Sequence, residues 1–329
     1  MRHDIDVAAA AAAPEARSTP AIADPTSAGG AREEPWPSAA RAWYGVAVFA
    51  FALLSLFMGN GVLTLLIQPI EHDLHLSDVG VSLIVGAAAS AFNAVFSLPV
   101  SRLVDIVSRR VLIGIGLLAS GLSSAISGVS GTFGQLFLAR MCGGIGGSAN
   151  GPATFSMLAD YFPPSKLPKA LAVMNIGTYY GQAGALLLGG TLIAAIMRMH
   201  HIELPVLGAL KAWQLVFLIL AVPDLLLGVI VLTTLREPRR RGVRSSRSAA
   251  AARATQRVVP VREVLRFLFE NGSAFGPMFL GLALTSLDAG TLLWLPTFFH
   301  RTYGWSTAFY GIVSGIILLV ATPIGLLAG

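Results

Sequence analysis

Three charged residues of this 329-residue chain lie inside long apolar runs, where a charge needs a partner or a water-filled cavity: Arg140, Asp224 and Asp288. Arg140 suits an anionic group, and Asp288, near the middle of its run, can carry a proton or lie opposite Arg140. Asn60 adds an uncharged polar group to the first run. We expect Asp224 to be peripheral, because its own run is otherwise apolar. The candidate substrate or coupling contacts are therefore Asn60, Arg140 and Asp288.

Other site chemistries find no support in the sequence. Residues 144–149 match a dinucleotide-binding fingerprint, but they lie inside an apolar run with no preceding strand. The single cysteine, Cys142, excludes an internal disulfide framework and a cysteine-rich metal site. The histidines lack carboxylates at ligand spacing, so solvated interfacial histidines are favoured over a metal site. We predict no catalytic residue, no metal, no cofactor and no enzyme activity.

The elements that must position these residues are membrane-spanning helices. Hydrophobic residues make up 54% of the chain and charged residues only 12%, which is more apolar surface than a soluble core of this size can cover. A bilayer core about 30 Å thick needs roughly 20 apolar residues of helix. Eight runs meet this length: 43–67, 81–104, 111–129, 134–157, 171–196, 213–235, 275–299 and 309–329. The runs are continuous and do not alternate, which predicts helices and not a β-barrel.

Lysine and arginine are distributed unevenly around these runs. Nineteen of the 23 lie in the tail and in the connections of one side, three lie on the opposite side, and Arg140 lies within a run. Basic residues mark the cytoplasmic side, so the N-terminus is predicted to be cytoplasmic in a multi-pass protein of the cell (inner) membrane. The net charge of +6 is therefore a topology signal and not a sign of nucleic-acid binding.

Composition divides the chain into four parts. Residues 1–42 are predicted to be a disordered cytoplasmic tail, because they cannot bury enough apolar surface to offset the cost of ordering. Residues 43–236 form a six-helix bundle, 237–266 a basic cytoplasmic loop, and 267–329 two helices of a partial second bundle. Six helices, a long loop and the start of a repeat are typical of transporters.

Three segments carry a family resemblance. Residues 98–110 read Leu-Pro-Val-Ser-Arg-Leu-Val-Asp-Ile-Val-Ser-Arg-Arg, which resembles the Gly…Asp…Arg-Arg loop of the major facilitator superfamily, and more closely its spinster-like branch. Residues 138–164 resemble the family's fourth helix and following loop, and the glycines of 177–190 resemble the motif of its fifth helix. The similarity runs from about Phe57 to Arg236 and continues weakly to the end.

The resemblance implies an all-α integral membrane bundle of the major facilitator type, with about eight transmembrane helices present of an expected twelve. It implies transport by alternating access, with a cavity lined by the first, fourth and seventh helices. It also implies a conformational latch at the loop signature, made by Asp105, Arg109, Arg110 and Asp160.

The chain departs from the family pattern at acidic positions. Gly59-Asn60 stands where spinster-like carriers tend to have Asp-Arg, Gly147 replaces a glutamate, and Gln68 replaces another. Proton coupling through those groups is therefore not carried over, and we expect any proton dependence to reside in Asp288. The chain also ends before the second latch loop, which fits a fragment, a truncated gene model or a degraded gene.

These observations predict a secondary transporter that moves a small organic solute across the membrane by alternating access. Arg140 favours an organic anion. The alternatives are a drug or lipid efflux carrier and a transport-inactive sensor or gene remnant. The expected partners are the solute, a coupling proton or ion and the lipid bilayer, with no nucleic acid, and the protein is expected to be a monomer.

Overall fold

The computed structural model describes residues 36–197, 202–204, 208–240 and 261–328. The side chains at positions 105, 197, 202–204, 208–209, 261, 286–289, 323 and 326–328 lie outside the description. Most of the predicted tail and residues 241–260 of the predicted basic loop also fall outside it. The first helix begins at Ala39, so it includes the last four residues assigned to the tail.

Helices follow the predicted runs closely. The second run becomes one continuous helix made of α3 (Asp78–Ser82), a π-helical turn (Leu83–Ala88) and α4 (Ala89–Ile106). The other spanning helices are α1 (Ala39–Leu65), α5 (Arg109–Val129), α6 (Phe133–Tyr161), α7 (Leu167–Met197), α8 (Ala212–Thr234), α10 (Gly272–Tyr303) and α11 (Thr307–Ala328). All eight predicted runs therefore coincide with helices, and the all-α fold is confirmed.

Six of the described helices are both long and apolar enough to cross a bilayer: α1, α3 with α4, α5, α7, α8 and α10. Helix α6 has sufficient length at 29 residues, but its glycines, Arg140 and Asp160 make it less apolar. Helix α11 contains a shorter apolar stretch, Thr307–Thr322. Both nevertheless lie within the bundle, since α6 packs against α4 and α5, and α11 packs along α7.

Short elements lie at the ends of the spanning helices. Helix α2 (Ile67–Leu74) follows α1, and a two-stranded antiparallel hairpin of β1 (Ile202–Leu204) and β2 (Gly208–Leu210) precedes α8. No pattern in the sequence predicted this hairpin. Helix α9 (Val261–Glu270) leads into α10.

Small residues allow two helix pairs to pack backbone against backbone. A Cβ added at Gly181 of α7 would lie 2.5 Å from the carbonyl oxygen of Leu54 in α1, and Gly177 faces Ala50 in the same way. Gly144 of α6 likewise faces the backbone of Ala89 in α4. These small residues therefore allow α7 to pack closely on α1, and α6 on α4.

The helices alternate in direction, so the bundle has two ends that can be defined by their residues. We call the end with Arg109, Lys166 and Arg236 the basic end, and the end with Asp78, Lys211 and Arg301 the far end. One buried apolar cluster, with Ile70, Leu136 and Trp213, lies toward the far end. A second, with Phe49, Met157 and Tyr161, lies toward the basic end.

Candidate functional site

A cavity of about 670 Å³ lies among the helices between the two apolar clusters. The predicted first, fourth and seventh helices all line it, as α1, α6 and α10. The second, third and sixth helices, α4, α5 and α8, contribute as well. Its polar lining includes Asn60, Asn93, Ser123, Arg140 and Asp224. Two of the three predicted contact residues, Asn60 and Arg140, are therefore brought together.

Arg140 presents a buried cation to this cavity. It lies two turns into α6 from the far end, and its residue is only 8% exposed. Among the described residues, its Nε atom has no hydrogen-bond partner, and no acidic side chain forms an ion pair with it. Since an unpaired charge at this depth is costly, the guanidinium depends on water or a ligand in the cavity.

Asn60 and two glycines show where the family pattern is altered. Asn60 is exposed to the cavity, and a Cβ added at the neighbouring Gly59 would meet open space. A Cβ added at Gly147, where the resemblance places a glutamate, would lie 3.1 Å from the amide nitrogen of Asn93. Two of the three altered positions, Gly59-Asn60 and Gly147, therefore line the cavity, and Asn93 supplies polarity beside Gly147.

Asp224 also lines the cavity, so the expectation that it is peripheral is wrong. The residue is 5% exposed, and its carboxylate accepts hydrogen bonds from Ser55 of α1 at 2.5 Å and Ser120 of α5 at 3.2 Å. Glycines at 121 and 228 bring α5 and α8 close together, with Gly121 packed against the backbone nitrogen of Leu225. The approach of these backbones turns Asp224 inward, which hydropathy alone could not indicate.

Asp288 lies within α10, but its side chain is outside the described part of the chain. Gly290 and Leu293 of the same helix line the cavity. Its role in substrate contact or coupling remains a prediction.

At the basic end, Arg109 forms a network that includes part of the predicted latch. Its Nη1 atom donates to Oδ2 of Asp160 at 2.6 Å and to the carbonyl and hydroxyl oxygens of Ser156, each at 3.0 Å. Its Nε atom donates to Oε1 of Glu237 at 3.3 Å, and the hydroxyl of Ser108 donates to the same carboxylate. We call Ser108, Arg109, Asp160 and Glu237 the basic-end network.

Two predicted latch residues lie outside this network as described. Arg110 donates to the carbonyl of Leu235 at 3.3 Å, and its Nε has no partner among the described residues. The side chain of Asp105 is not described, so its latch role remains a prediction. Glu237 was missed as a network member, although it directly follows Arg236 at the end of the sixth run.

Glu237 is held as a carboxylate by its neighbours. Partial burial alone would raise its pKa, but the hydrogen bonds from Ser108 and from the backbone and side chain of Arg109 outweigh burial and lower the pKa below 4.5. The negative charge therefore persists at neutral pH and pairs with the buried guanidinium of Arg109.

At the far end, Arg301 of α10 joins two acidic residues. Its Nη1 and Nη2 atoms donate to the two carboxylate oxygens of Asp78 at 2.9 and 2.7 Å, a bidentate arrangement. Nη2 also lies 3.0 Å from both oxygens of Glu71 in α2. We call Glu71, Asp78 and Arg301 the far-end cluster; the sequence analysis did not predict it.

Fold and cavity together define a multi-pass membrane protein of the carrier class. The family model described as Major Facilitator Superfamily matches residues 49–329, and the chain belongs to this superfamily. Membership supports the prediction of a transporter. Within the described ranges, no three His, Cys, Asp or Glu side chains lie close enough to share a metal ion.

Comparison with individual proteins agrees with this assignment. The chain is 31% identical over 153 residues to puromycin resistance protein pur8 of Streptomyces alboniger, covering 46% of this chain and 30% of the relative. It is 26% identical over 291 residues to an MFS-type efflux pump of Mycolicibacterium smegmatis, covering 87% of this chain and 61% of the relative. The chain thus spans less than two thirds of either relative.

A solved structure shares the fold. It is a bacterial homologue of the human lysosomal transporter Spinster in an inward-facing, unoccupied conformation, with a TM-score of 0.69 and 24% identity. The match covers 87% of this chain and 61% of that chain.

Proposed function

We propose that this protein is a secondary transporter that moves a small organic solute with an anionic group by alternating access. The observation that carries the proposal is Arg140, a buried guanidinium without an acidic partner among the described side chains, in the wall of a cavity. The cavity volume of about 670 Å³ suits a small molecule. Asn60, exposed in the same cavity, supplies a hydrogen-bonding group beside the anion.

Ionic contacts at both ends support alternating access. The far-end cluster ties α10 to α2 and α3, so the cavity can open at that end only after these contacts separate. The basic-end network ties α5, α6 and the segment after α8 together. We infer that separation of the far-end contacts distinguishes one state of the carrier from the other, since two states must differ in their interactions. We propose that the protein lies in the cell (inner) membrane with its basic end facing the cytoplasm.

Uptake into proteoliposomes tests the role of Arg140. A set of labelled organic acids is offered to the full chain, and the best transported acid is compared across variants. Arg140→Gln should lower its uptake about tenfold or more, because a hydrogen bond to a charged group contributes roughly 1.5–3 kcal/mol. Arg266→Gln is the matched control, since Arg266 lies on α9 and is 78% exposed. Unchanged uptake in Arg140→Gln contradicts the proposal.

Efflux of cationic drugs is the second candidate function. The carboxylate of Asp224 and the apolar side chains of Leu56, Val85 and Leu293 favour it, because together they form an acidic and apolar part of the cavity wall. The names of the two relatives, a puromycin resistance protein and an MFS-type efflux pump, support efflux but do not specify the charge of a drug. Asp224→Asn should then abolish export of a cationic dye, while Arg140→Gln leaves export intact. The reverse pattern favours the organic anion, and no transport of any solute favours the inactive sensor or remnant.

A further inference from the structure

Two buried groups of opposite charge line the same cavity without pairing with each other. Arg140 of α6 and Asp224 of α8 are 8% and 5% exposed, and no ion pair joins them among the described contacts. Buried charges that could neutralise each other usually do so, because an unpaired buried charge is costly. Their separation within one cavity therefore calls for a physical explanation.

Depth in the bundle separates the two charges. Helices α6 and α8 both run from the far end, beginning at Phe133 and Ala212. Contacts with α5 give the order of the two charges. Ser123 donates to the carbonyl oxygen of Ala139, next to Arg140, and Ser120, one turn nearer the basic end, donates to Asp224. Asp224 therefore lies closer to the basic end than Arg140.

Each group also keeps bonding capacity that the protein leaves unused. Each carboxylate oxygen of Asp224 accepts one hydrogen bond, Oδ1 from the hydroxyl of Ser55 and Oδ2 from the hydroxyl of Ser120. A carboxylate has about four lone-pair sites, so about two remain for another donor. Arg140 has five N–H donors, and no hydrogen bond to a described residue occupies them. One end of the cavity wall can therefore accept a cationic donor, and the other can donate to an anion.

The other residues of the cavity wall indicate which kind of cation could bind at Asp224. None of its described lining residues is aromatic; they are glycines, serines, alanines, asparagines and aliphatic side chains in addition to the two charges. A quaternary ammonium group has no N–H to donate and is typically bound against aromatic faces. A primary ammonium group can instead donate to Asp224 directly.

From these observations we propose that the cavity binds a zwitterion, with the ammonium group of an amino acid on Asp224 and its carboxylate on Arg140. This inference rests on the proposed transport function and names its solute class. A solute with a single charge leaves one of the two buried groups unpaired. A zwitterion of suitable length satisfies both groups and adds no net charge to the cavity.

Binding of three matched probes to the purified full chain tests the inference. The probes are ε-aminocaproate, caproate, which lacks the ammonium group, and hexylamine, which lacks the carboxylate. Calorimetric titration should give at least tenfold tighter binding for ε-aminocaproate than for either single-charge probe. Equal affinities for the three matched probes overturn the inference.

Variants assign each charge to its protein partner. Asp224→Asn should remove the preference for ε-aminocaproate over caproate. Arg140→Gln should remove the preference for ε-aminocaproate over hexylamine. The matched controls Glu270→Gln and Arg266→Gln, on the exposed helix α9, should keep both preferences. Because the three-probe comparison uses the unaltered protein, a variant that fails to fold does not remove the test. If folded Asp224→Asn still prefers ε-aminocaproate over caproate, the zwitterion inference is also overturned.

Transport of the same probes separates this inference from the proposed function. If caproate is taken up as well as ε-aminocaproate and depends on Arg140, the transport proposal stands and the zwitterion inference is wrong. If none of the probes binds or is taken up, both the anion site and the zwitterion site are contradicted.

Discussion

The charge of Glu237 lies just beyond α8 and completes the surroundings of the buried Arg109 side chain, which is 2% exposed. Asp160 compensates the same guanidinium from α6. A buried arginine with two carboxylates is sensitive to the loss of either one, because the remaining charge stays buried with less compensation. Protonation of either carboxylate should therefore lower the stability of the protein in acid.

Glu237 should contribute stability that is lost in acid. Its pKa in the folded protein is lowered below 4.5, so its contribution is fully present above 4.5 and declines as the pH falls through the lowered folded pKa. Glu237→Gln should remove this part of the pH dependence. The measurement is the unfolding midpoint in detergent between about pH 7 and pH 3, the range in which carboxylates titrate.

Glu270→Gln is the control, because Glu270 forms an exposed pair with Arg266 and should change the pH profile little. A Glu237→Gln variant with the same acid profile as the unaltered protein would show that the carboxylate adds no pH-dependent stability.

At the residue scale, the sequence predicted the charges but not all of their surroundings. Arg140 and Asn60 were expected to meet in a cavity, and they do. Asp224 was misplaced because apolar composition indicates the depth of a residue but not the direction in which it faces. Glu237 was missed because its contacts join segments more than 100 residues apart in sequence, which no local pattern records.

Among the helices, the glycines of α7 differ in what surrounds them. Gly181 packs against the backbone of α1, whereas a Cβ added at Gly184, three residues further along, would meet nothing within 4 Å. Small residues recur at every fourth position of α7, from Gly177 to Gly189, and this spacing is typical of helices that pack closely. The spacing of α6 was less informative: Gly143 contacts Ser123, but Gly151 has open space around it.

Gly181→Ala should destabilise the protein, while Gly184→Ala on the same helix should not. The added methyl group at Gly181 would lie 2.5 Å from the carbonyl oxygen of Leu54, so α1 and α7 must separate. Such overpacking costs about 1–3 kcal/mol. Thermal unfolding of both variants in the same detergent measures the difference, and equal midpoints would refute the close approach of α1 and α7.

The far-end cluster yields a prediction about opening. Arg301→Gln removes the bidentate contact with Asp78 and the contact with Glu71, so α10 should separate more readily from α2 and α3. In a Cys142→Ser background, a cysteine at Asn60 should then react several times faster with a water-soluble maleimide. Arg301 and Asp78 are partly exposed to solvent, which weakens their ion pair, so the increase in labelling rate should be modest.

Lys211→Gln is the control for this experiment, since Lys211 lies at the same end but pairs with Asp73 and not with α10. Equal labelling rates in Arg301→Gln and Lys211→Gln would show that the cluster does not hold the far end closed.

For the whole molecule, the helix count and family could be read from the sequence, because apolar runs of membrane length and a loop signature are local features. The superfamily assignment is confirmed over residues 49–329. The sidedness of the bundle has a different basis, the uneven distribution of basic residues, and it stays a prediction.

Two cysteines test this sidedness. In a Cys142→Ser background, Ser165→Cys at the basic end and Thr302→Cys at the far end both replace exposed residues. An impermeant reagent added to intact cells should label Thr302→Cys and spare Ser165→Cys, and permeabilised cells should label both. Labelling of Ser165→Cys in intact cells would reverse the predicted orientation.

The π-helical turn at Leu83–Ala88 affects how this chain is aligned with other proteins. Hydrogen bonds in such a turn run from residue i to i+5, so it accommodates one residue more than an α-helical turn. An alignment with a relative that has a regular helix there needs a one-residue gap inside the turn. Without the gap, every later position of α4, including Asn93 in the cavity wall, would be compared with a residue about 100° away around the helix.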